Sequence, residues 1–250
     1  MADVVKYRFA RNSQDIPVDV ESLDRQVGVS GSFYCYGCGH ELIAHLGLKR
    51  ARHFQHKASE SSCARETYLH SLAKSVFVGA FKGHQAAGTP YYLEQRVKGT
   101  CTHYEQSLHF TCPHEEIQRH DLTKWFDVCN AETGYKGFVA DVLLASTTRQ
   151  EVLMIEFSVT HDCEPEKIAS GARIVEIPIH DEADVAALRD GLLQDGKRSG
   201  FRSYNLKNRP TCGPMCGGEC PNEVGLFIVY KNGKSFLKDI PAKSAINPQL

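Results

Sequence analysis

The chain has 250 residues, with 29 Lys and Arg against 30 Asp and Glu and a formal net charge of −1. Overall charge therefore excludes a polyanion-coating protein, and any nucleic-acid contact must be local. The apolar fraction of 42% supports a sizeable core, and no uninterrupted apolar run reaches the roughly 18 residues of a membrane span.

The start of the chain lacks the apolar segment of a signal peptide, so a cytoplasmic protein with no membrane partner is expected. There, ten cysteines and twelve histidines point to metal sites or buried thiols rather than disulfides. Residues 4–10 are strand-like, and 32–63 are rich in Cys and His with little room for a core. Residues 64–82 read as a helix, because Leu69, Leu72, Val76 and Phe77 recur at helical spacing. A strand is expected over 91–97 after Thr89-Pro90, followed by a Cys/His excursion over 99–114. Another strand is expected over 122–129. The central strands, 137–144 and 152–158, flank a polar turn at 146–150. Then come a short helix over 164–170, a strand over 172–179, an amphipathic helix over 181–194 capped by Asp181, a Cys/Gly/Pro-rich loop and a last strand over 226–230. This order implies an α/β or α+β domain (64–250) around a mixed central sheet flanked by helices, behind an N-terminal segment (1–63) holding a small metal module.

Cys35-Tyr36-Gly37-Cys38-Gly39 is a zinc-knuckle sequence. Cys35, Cys38, His56 and Cys63 would complete a tetrahedral site, with His53 competing for the nitrogen. The alternative is buried free cysteines and unrelated histidines. Four protein ligands leave no open position, so this zinc would be structural. Cys212, Cys216 and Cys220, four apart among glycines, are candidates for a second zinc. Cys101, His103, His109, Cys112, His114, Cys129 and Cys163 are candidate partners; the bland alternative is a surface loop with free thiols.

Each central strand carries one carboxylate, Asp141 and Glu156. A carboxylate inside an apolar strand needs a basic partner or a cation. Two of them on neighbouring strands favour a divalent cation, and the competing reading is a salt bridge to Lys136 or Arg173. Glu94, in an alternating strand, is a third ligand or a water-orienting group. Glu66, on the helix, would hold a water or a basic group. Lys49, Arg50, Arg52, Lys57, Arg65 and Lys74 are candidate phosphate contacts. Lys197, Arg198, Arg202, Lys207 and Arg209 form a second basic stretch. Solvated faces are the plain alternative for both, and for His70.

The ordered set Cys35-x-x-Cys38, His53-Phe54-x-His56, Cys63, Glu66-Thr67-x-x-His70-x-x-x-Lys74, Glu94, Asp141, Glu156 resembles the competence protein CoiA-like family over about residues 32–180. That resemblance implies a zinc-ribbon-like module ahead of a restriction-endonuclease-like PD-(D/E)XK nuclease domain, and DNA cleavage, on single or double strands, assisted by Mg or Mn. A homodimer is a further expectation by analogy with enzymes that cut both strands. Two departures stand out: Ala140 replaces the motif proline, and Ser158 stands where the motif lysine belongs. Lys167 and His161 are the expected substitutes. An inactive nuclease-like protein that binds nucleic acid is the main alternative, and a metal-storing or redox-sensing protein a weaker one.

Overall fold

A computed structural model describes residues 7–24, 31–47, 51–57, 63–98, 104, 115–195, 200–206 and 223–246. The protein has a mixed α+β fold with several sheets and few helices. Its contacts divide it into two units. The first holds residues 1–94 and 119–206, and the second 95–118 and 207–250. The boundary expected between 63 and 64 therefore lies inside the first unit.

The first unit begins with a five-stranded antiparallel sheet: β1 Phe9–Arg11, β2 Pro17–Asp19, β3 Phe33–Tyr34, β4 Glu41–His45 and β5 His53–His56, in the order β2-β1-β3-β4-β5. Tyr7 and Phe54 also exchange both backbone hydrogen bonds, at 3.0 and 2.7 Å, so the chain before β1 meets β5. These strands are short. Their buried residues Phe9, Phe33, Leu42 and Phe54 share one core with the long helix that follows.

That helix, α1, spans Arg65–Ala87. Tyr68, Leu69, Leu72, Ala73, Val76, Phe77 and Phe81 form its buried stripe. It ends at Gly88, whose φ of +66° supplies the left-handed C-cap before Thr89-Pro90. The stripe packs on a second sheet of β8 Val128–Tyr135, β9 Phe138–Ala145, β10 Val152–Ser158, β11 Ile174–Pro178 and β13 Arg202–Tyr204, ordered β13-β11-β10-β9-β8. β10 and β11 run parallel, joined through helix α3, Pro165–Ala169; the other pairs are antiparallel. Leu153, Ile155 and Phe157 join the core with α1, whereas Met154, Glu156 and Ser158 take the other side of β10.

Two expected elements differ. Over 122–129 the chain forms a single helical turn, α2 Leu122–Trp125, and only then enters β8. Asp121 caps that turn by accepting from Thr123 N–H, a local bond that outweighs the strand preference of Trp125 and Phe126. The expected helix over 181–194 stops early, as α4 Glu182–Ala187 plus a 3-10 turn to Asp190. Gly191, at φ +69°, then turns the chain into β12, Leu192–Gln194. The Asp181 cap is present and forms a capping box with Asp184. β12 pairs in parallel with β6 Tyr92–Lys98, which neighbours β7 Glu115–Asp121.

In the second unit, β14 Glu223–Val229 and β15 Ser235–Pro241 form an antiparallel hairpin, followed by α5 Ala242–Ile246. The sequence pattern foresaw a last strand but not β15. No helix among the described residues is long and apolar enough to cross a membrane.

Candidate functional site

Cys35 and Cys38 bracket the turn after β3, His56 ends β5, and Cys63 lies two residues before α1. Their ligand atoms all lie within 4.8 Å of one another. Cys35 Sγ is 3.4 Å from Cys63 Sγ, and Cys38 Sγ is 3.1 Å from His56 Nε2. A tetrahedral zinc with Zn–S near 2.3 Å needs ligand edges of about 3.7 Å, so three thiols and one imidazole here fit zinc. Burial pushes the Cys35 thiol up to about 12; coordination reverses this by stabilising the thiolate. Gly37 is required by closeness: a Cβ there would lie 2.7 Å from Cys63 Sγ and 3.1 Å from the Tyr68 backbone nitrogen. His53 is not part of the group. Its Nδ1 lies 2.9 Å from Ala51 O, and its ring stacks on His45 at 4.9 Å. Cys101, His103, His109, Cys112, His114, Cys212, Cys216 and Cys220 lie outside the described residues. Among the described ones, Cys129 and Cys163 are free thiols outside any metal-ligand group.

The second candidate site is on the central sheet. β9 and β10 pair Ala145 with Val152 through Val142 with Ile155, and Asp141 and Glu156 are the next residues of the two strands at that end of the ladder. Asp141 Oδ2 lies 2.8 Å from His70 Nε2 and accepts from Phe157 N–H at 2.9 Å, while Lys74 Nζ stands 3.8 Å from Oδ1. Burial pushes its carboxyl up, but these partners, His70 first, hold it below the usual carboxylate range. Glu156 Oε2 meets Lys167 Nζ at 2.7 Å, and Lys167 also donates to Val139 O at 2.7 Å. Glu156 Oε1 is buried and has no hydrogen-bond partner. Burial dominates over the lysine, with Asp141 adding like charge, and raises Glu156 from 4.5 to about 7. Both carboxylates line a cavity of about 410 Å³ with His70, His161, Cys163 and Lys167. Asp141 and the unpartnered Glu156 Oε1 are the groups on this wall that would hold a divalent cation, whereas among the described residues only the Cys/His group gathers three or more such ligand atoms.

The alternative partners named from sequence are engaged elsewhere. Lys136 donates to Ser170 O at 3.2 Å, and Arg173 pairs with Glu151 at 3.6 Å. Ser158 is buried, its Oγ without a partner, and Lys167 brings a positive charge to the neighbouring carboxylate from α3. His161 is exposed on the cavity wall. Glu66 is exposed and accepts from Thr160 Oγ1. Glu94 is not brought to this cavity: it lies in β6, in another sheet, paired with Arg119 and accepting from Gln194 Nε2 at 2.7 Å.

Among the candidate phosphate contacts, Arg52 donates to the carbonyls of Glu21 and Leu23 at 3.3 and 2.9 Å. Lys57 pairs with Glu41 at 2.9 Å, Lys74 pairs with Glu132, and Arg65 is exposed. Lys49 and Arg50 lie outside the described residues, as do Lys197, Arg198, Lys207 and Arg209. Arg202, of the second basic stretch, binds both oxygens of Asp162 at 2.7 Å and reaches Glu176 Oε2 at 3.5 Å.

Sequence reasoning missed two features. His70 and Lys74 hold Asp141 rather than facing solvent; their four-residue spacing was the available signal. Glu176, opposite Glu156 in the parallel register, is fully buried and held by Cys163 N–H, Tyr204 Oη and Arg202. A carboxylate inside Ile174-Val175-Glu176-Ile177 carried the same signal as Asp141 and Glu156.

Residues 19–66 match the protein-family model described as Competence protein CoiA, N-terminal domain. The matched stretch contains all four Cys/His ligands and ends at the first turn of α1. No curated protein and no solved structure matches the chain.

Proposed function

From the match of residues 19–66 to the competence protein CoiA N-terminal domain, we propose that the chain is a metal-dependent nuclease of that kind, which hydrolyses phosphodiester bonds of DNA and carries a structural zinc on Cys35, Cys38, His56 and Cys63. One observation carries the reading: Glu156 and Lys167 meet at 2.7 Å across the sheet from Asp141, with a buried, unpartnered Glu156 oxygen on the cavity.

Asp141 and Glu156 would hold magnesium or manganese, leaving its remaining positions to water and a phosphate oxygen. Bound there, the cation supplies charge stabilisation to the phosphate and acidifies a water. Asp141 enters as the ionised carboxylate, kept so by His70, Lys74 and Phe157 N–H. Lys167 supplies the fixed positive charge that Ser158 cannot, beside the same Glu156. His161, exposed on the cavity rim, would exchange a proton with the leaving oxygen. Glu66 positions the loop after β10 through Thr160. Glu94 has no role in this scheme: its carboxylate belongs to Arg119 and Gln194.

The test is cleavage of plasmid and single-stranded DNA with magnesium or manganese, comparing wild type with Asp141→Asn, Glu156→Gln and Lys167→Met. Cleavage by wild type that is lost in the first two variants, with zinc content retained, supports the proposal. Equal activity in all four proteins would be a contaminant's. No cleavage, with salt-sensitive DNA binding retained, would replace the enzyme with a binding protein and make Ser158 the reason.

A further inference from the structure

The zinc knuckle grips the helix that holds Asp141. Gly37 sits against Tyr68 on the first turn of α1, with no room for a Cβ between them. Tyr36, between the two knuckle cysteines, has its hydroxyl 3.2 Å from Ser75 Oγ. Tyr68 and Ser75 are seven residues apart, two turns along one face of the helix. Tyr7 closes the same contact, edge-on to His56 at 5.3 Å and 4.5 Å from the Tyr68 ring. Cys63 lies two residues before α1, and Ala64, at the N-cap, offers no side-chain bond to the helix. His70 and Lys74, which hold Asp141, project from the other side of this stretch.

From this juxtaposition we infer that the zinc site is a positioning device for the catalytic helix. With the metal bound, Cys63 anchors the uncapped start of α1, and the knuckle fixes the helix rotation at Tyr68 and Ser75. That rotation presents His70 and Lys74 to Asp141. Without zinc, the four ligands no longer hold the knuckle on the helix, the first turns of α1 loosen, and Asp141 loses its two partners on that helix. Tyr36, Gly37 and Ser75 are then positioning residues that touch neither metal nor substrate. The inference rests on the proposed nuclease site for its consequence, but not for its physical content.

The experiment uses the whole chain loaded with zinc and the same chain after chelation. Amide hydrogen exchange is read over 65–75, and the His70 imidazole is followed by NMR. Exchange over 65–75 should rise at least tenfold on zinc removal, with β10 and β11 staying protected, and the His70 resonance should move. Gly37→Ala keeps all four ligands yet should reproduce part of this effect with one zinc still bound. Tyr36→Phe, which removes one hydroxyl and adds no bulk, should lower kcat several-fold with KM unchanged. Ser75→Ala should do the same, and adding it to Tyr36→Phe should cost nothing more. Unchanged exchange and an unmoved His70 signal after chelation would overturn the inference. A chain that cleaves no DNA but shows the exchange and NMR responses would sink the nuclease proposal and leave the coupling standing.

Discussion

Glu156 is held in opposition. Lys167 draws it toward ionisation, while burial and Asp141 drive it the other way and win, placing its carboxyl at about 7 rather than 4.5. A carboxyl raised in the folded state contributes stability that is fully present below its unfolded value, near 4.5, and lost as pH rises through about 7. The gap corresponds to roughly 3 kcal/mol as an upper figure. Zinc-loaded protein without magnesium should therefore lose stability between pH 5 and 8 relative to Glu156→Gln, whose amide does not ionise. Asp141, depressed, titrates below this window and leaves the comparison clean. Parallel thermal melts of the two proteins settle the matter; curves that keep a constant offset would show that burial does not govern Glu156. Magnesium should shift wild type upward most at pH 8, where the carboxylate it would bind is ionised. Lys167→Met removes the counter-charge and should lower kcat by about 10²–10⁴-fold, as expected for a lost group acting on charge developed in the transition state. A larger loss in KM than in kcat would make Lys167 a phosphate-binding residue instead. Asp141 and Glu156 were legible from sequence because a carboxylate inside an apolar run demands an explanation. Lys167 was named with His161 as a candidate substitute once Ser158 was seen, and the structure pairs it with Glu156. The partners of Asp141 were not, since His70 and Lys74 look like any polar helix positions until the sheet is placed beneath them.

At the scale of elements, the long periodic helix and the two apolar central strands were readable because burial pattern and propensity agree there. The misreadings cluster where a single capping bond decides. Asp121 makes one helical turn out of a strand-like sequence, and Gly191 ends what reads as a continuing amphipathic helix. Gly191 adopts φ +69°, and a Cβ built on it would lie 2.6 Å from the His84 ring. Gly191→Ala combines left-handed strain with that collision and should destabilise the protein by about 1–3 kcal/mol. The β6–β12 pairing, which begins where Tyr92 N–H bonds Gly191 O at 2.7 Å, should loosen with it. Urea unfolding with exchange over β6 tests both; a variant as stable as wild type would mean that His84 moves away freely and the strain is trivial. The placement of Glu94 in a separate sheet was unreadable for a different reason. An alternating strand gives its own two faces but not its neighbours.

For the molecule as a whole, a net charge of −1 leaves no general attraction for a polyanion. The described basic residues are mostly engaged within the chain: Arg52 on two carbonyls, Lys57 on Glu41, Lys74 on Glu132 and Asp141. The cavity itself is lined by Asp141, Glu156, Asp162, Glu164 and Glu176 against one lysine, a field that repels phosphate until a cation enters. DNA binding should therefore depend on divalent cation. Calcium, which occupies oxygen sites of this kind, should tighten binding of a labelled duplex at least tenfold over metal-free buffer without cleavage being needed. With few free Lys and Arg among the described residues to neutralise phosphates, the fall of log K with log salt should be shallow, a slope of about −2 to −3, because each neutralised phosphate contributes about −0.9. Fluorescence anisotropy across a salt series, with and without calcium, measures both quantities. Arg52→Ala should leave the slope in place, since its guanidinium is engaged by the carbonyls of Glu21 and Leu23. Arg65→Ala should reduce it by about one, because Arg65 is exposed at the start of α1. Tight, steeply salt-dependent binding without any divalent cation would move the contact surface away from this cavity to the basic residues beyond the described segments, with the carboxylates acting after capture rather than during it.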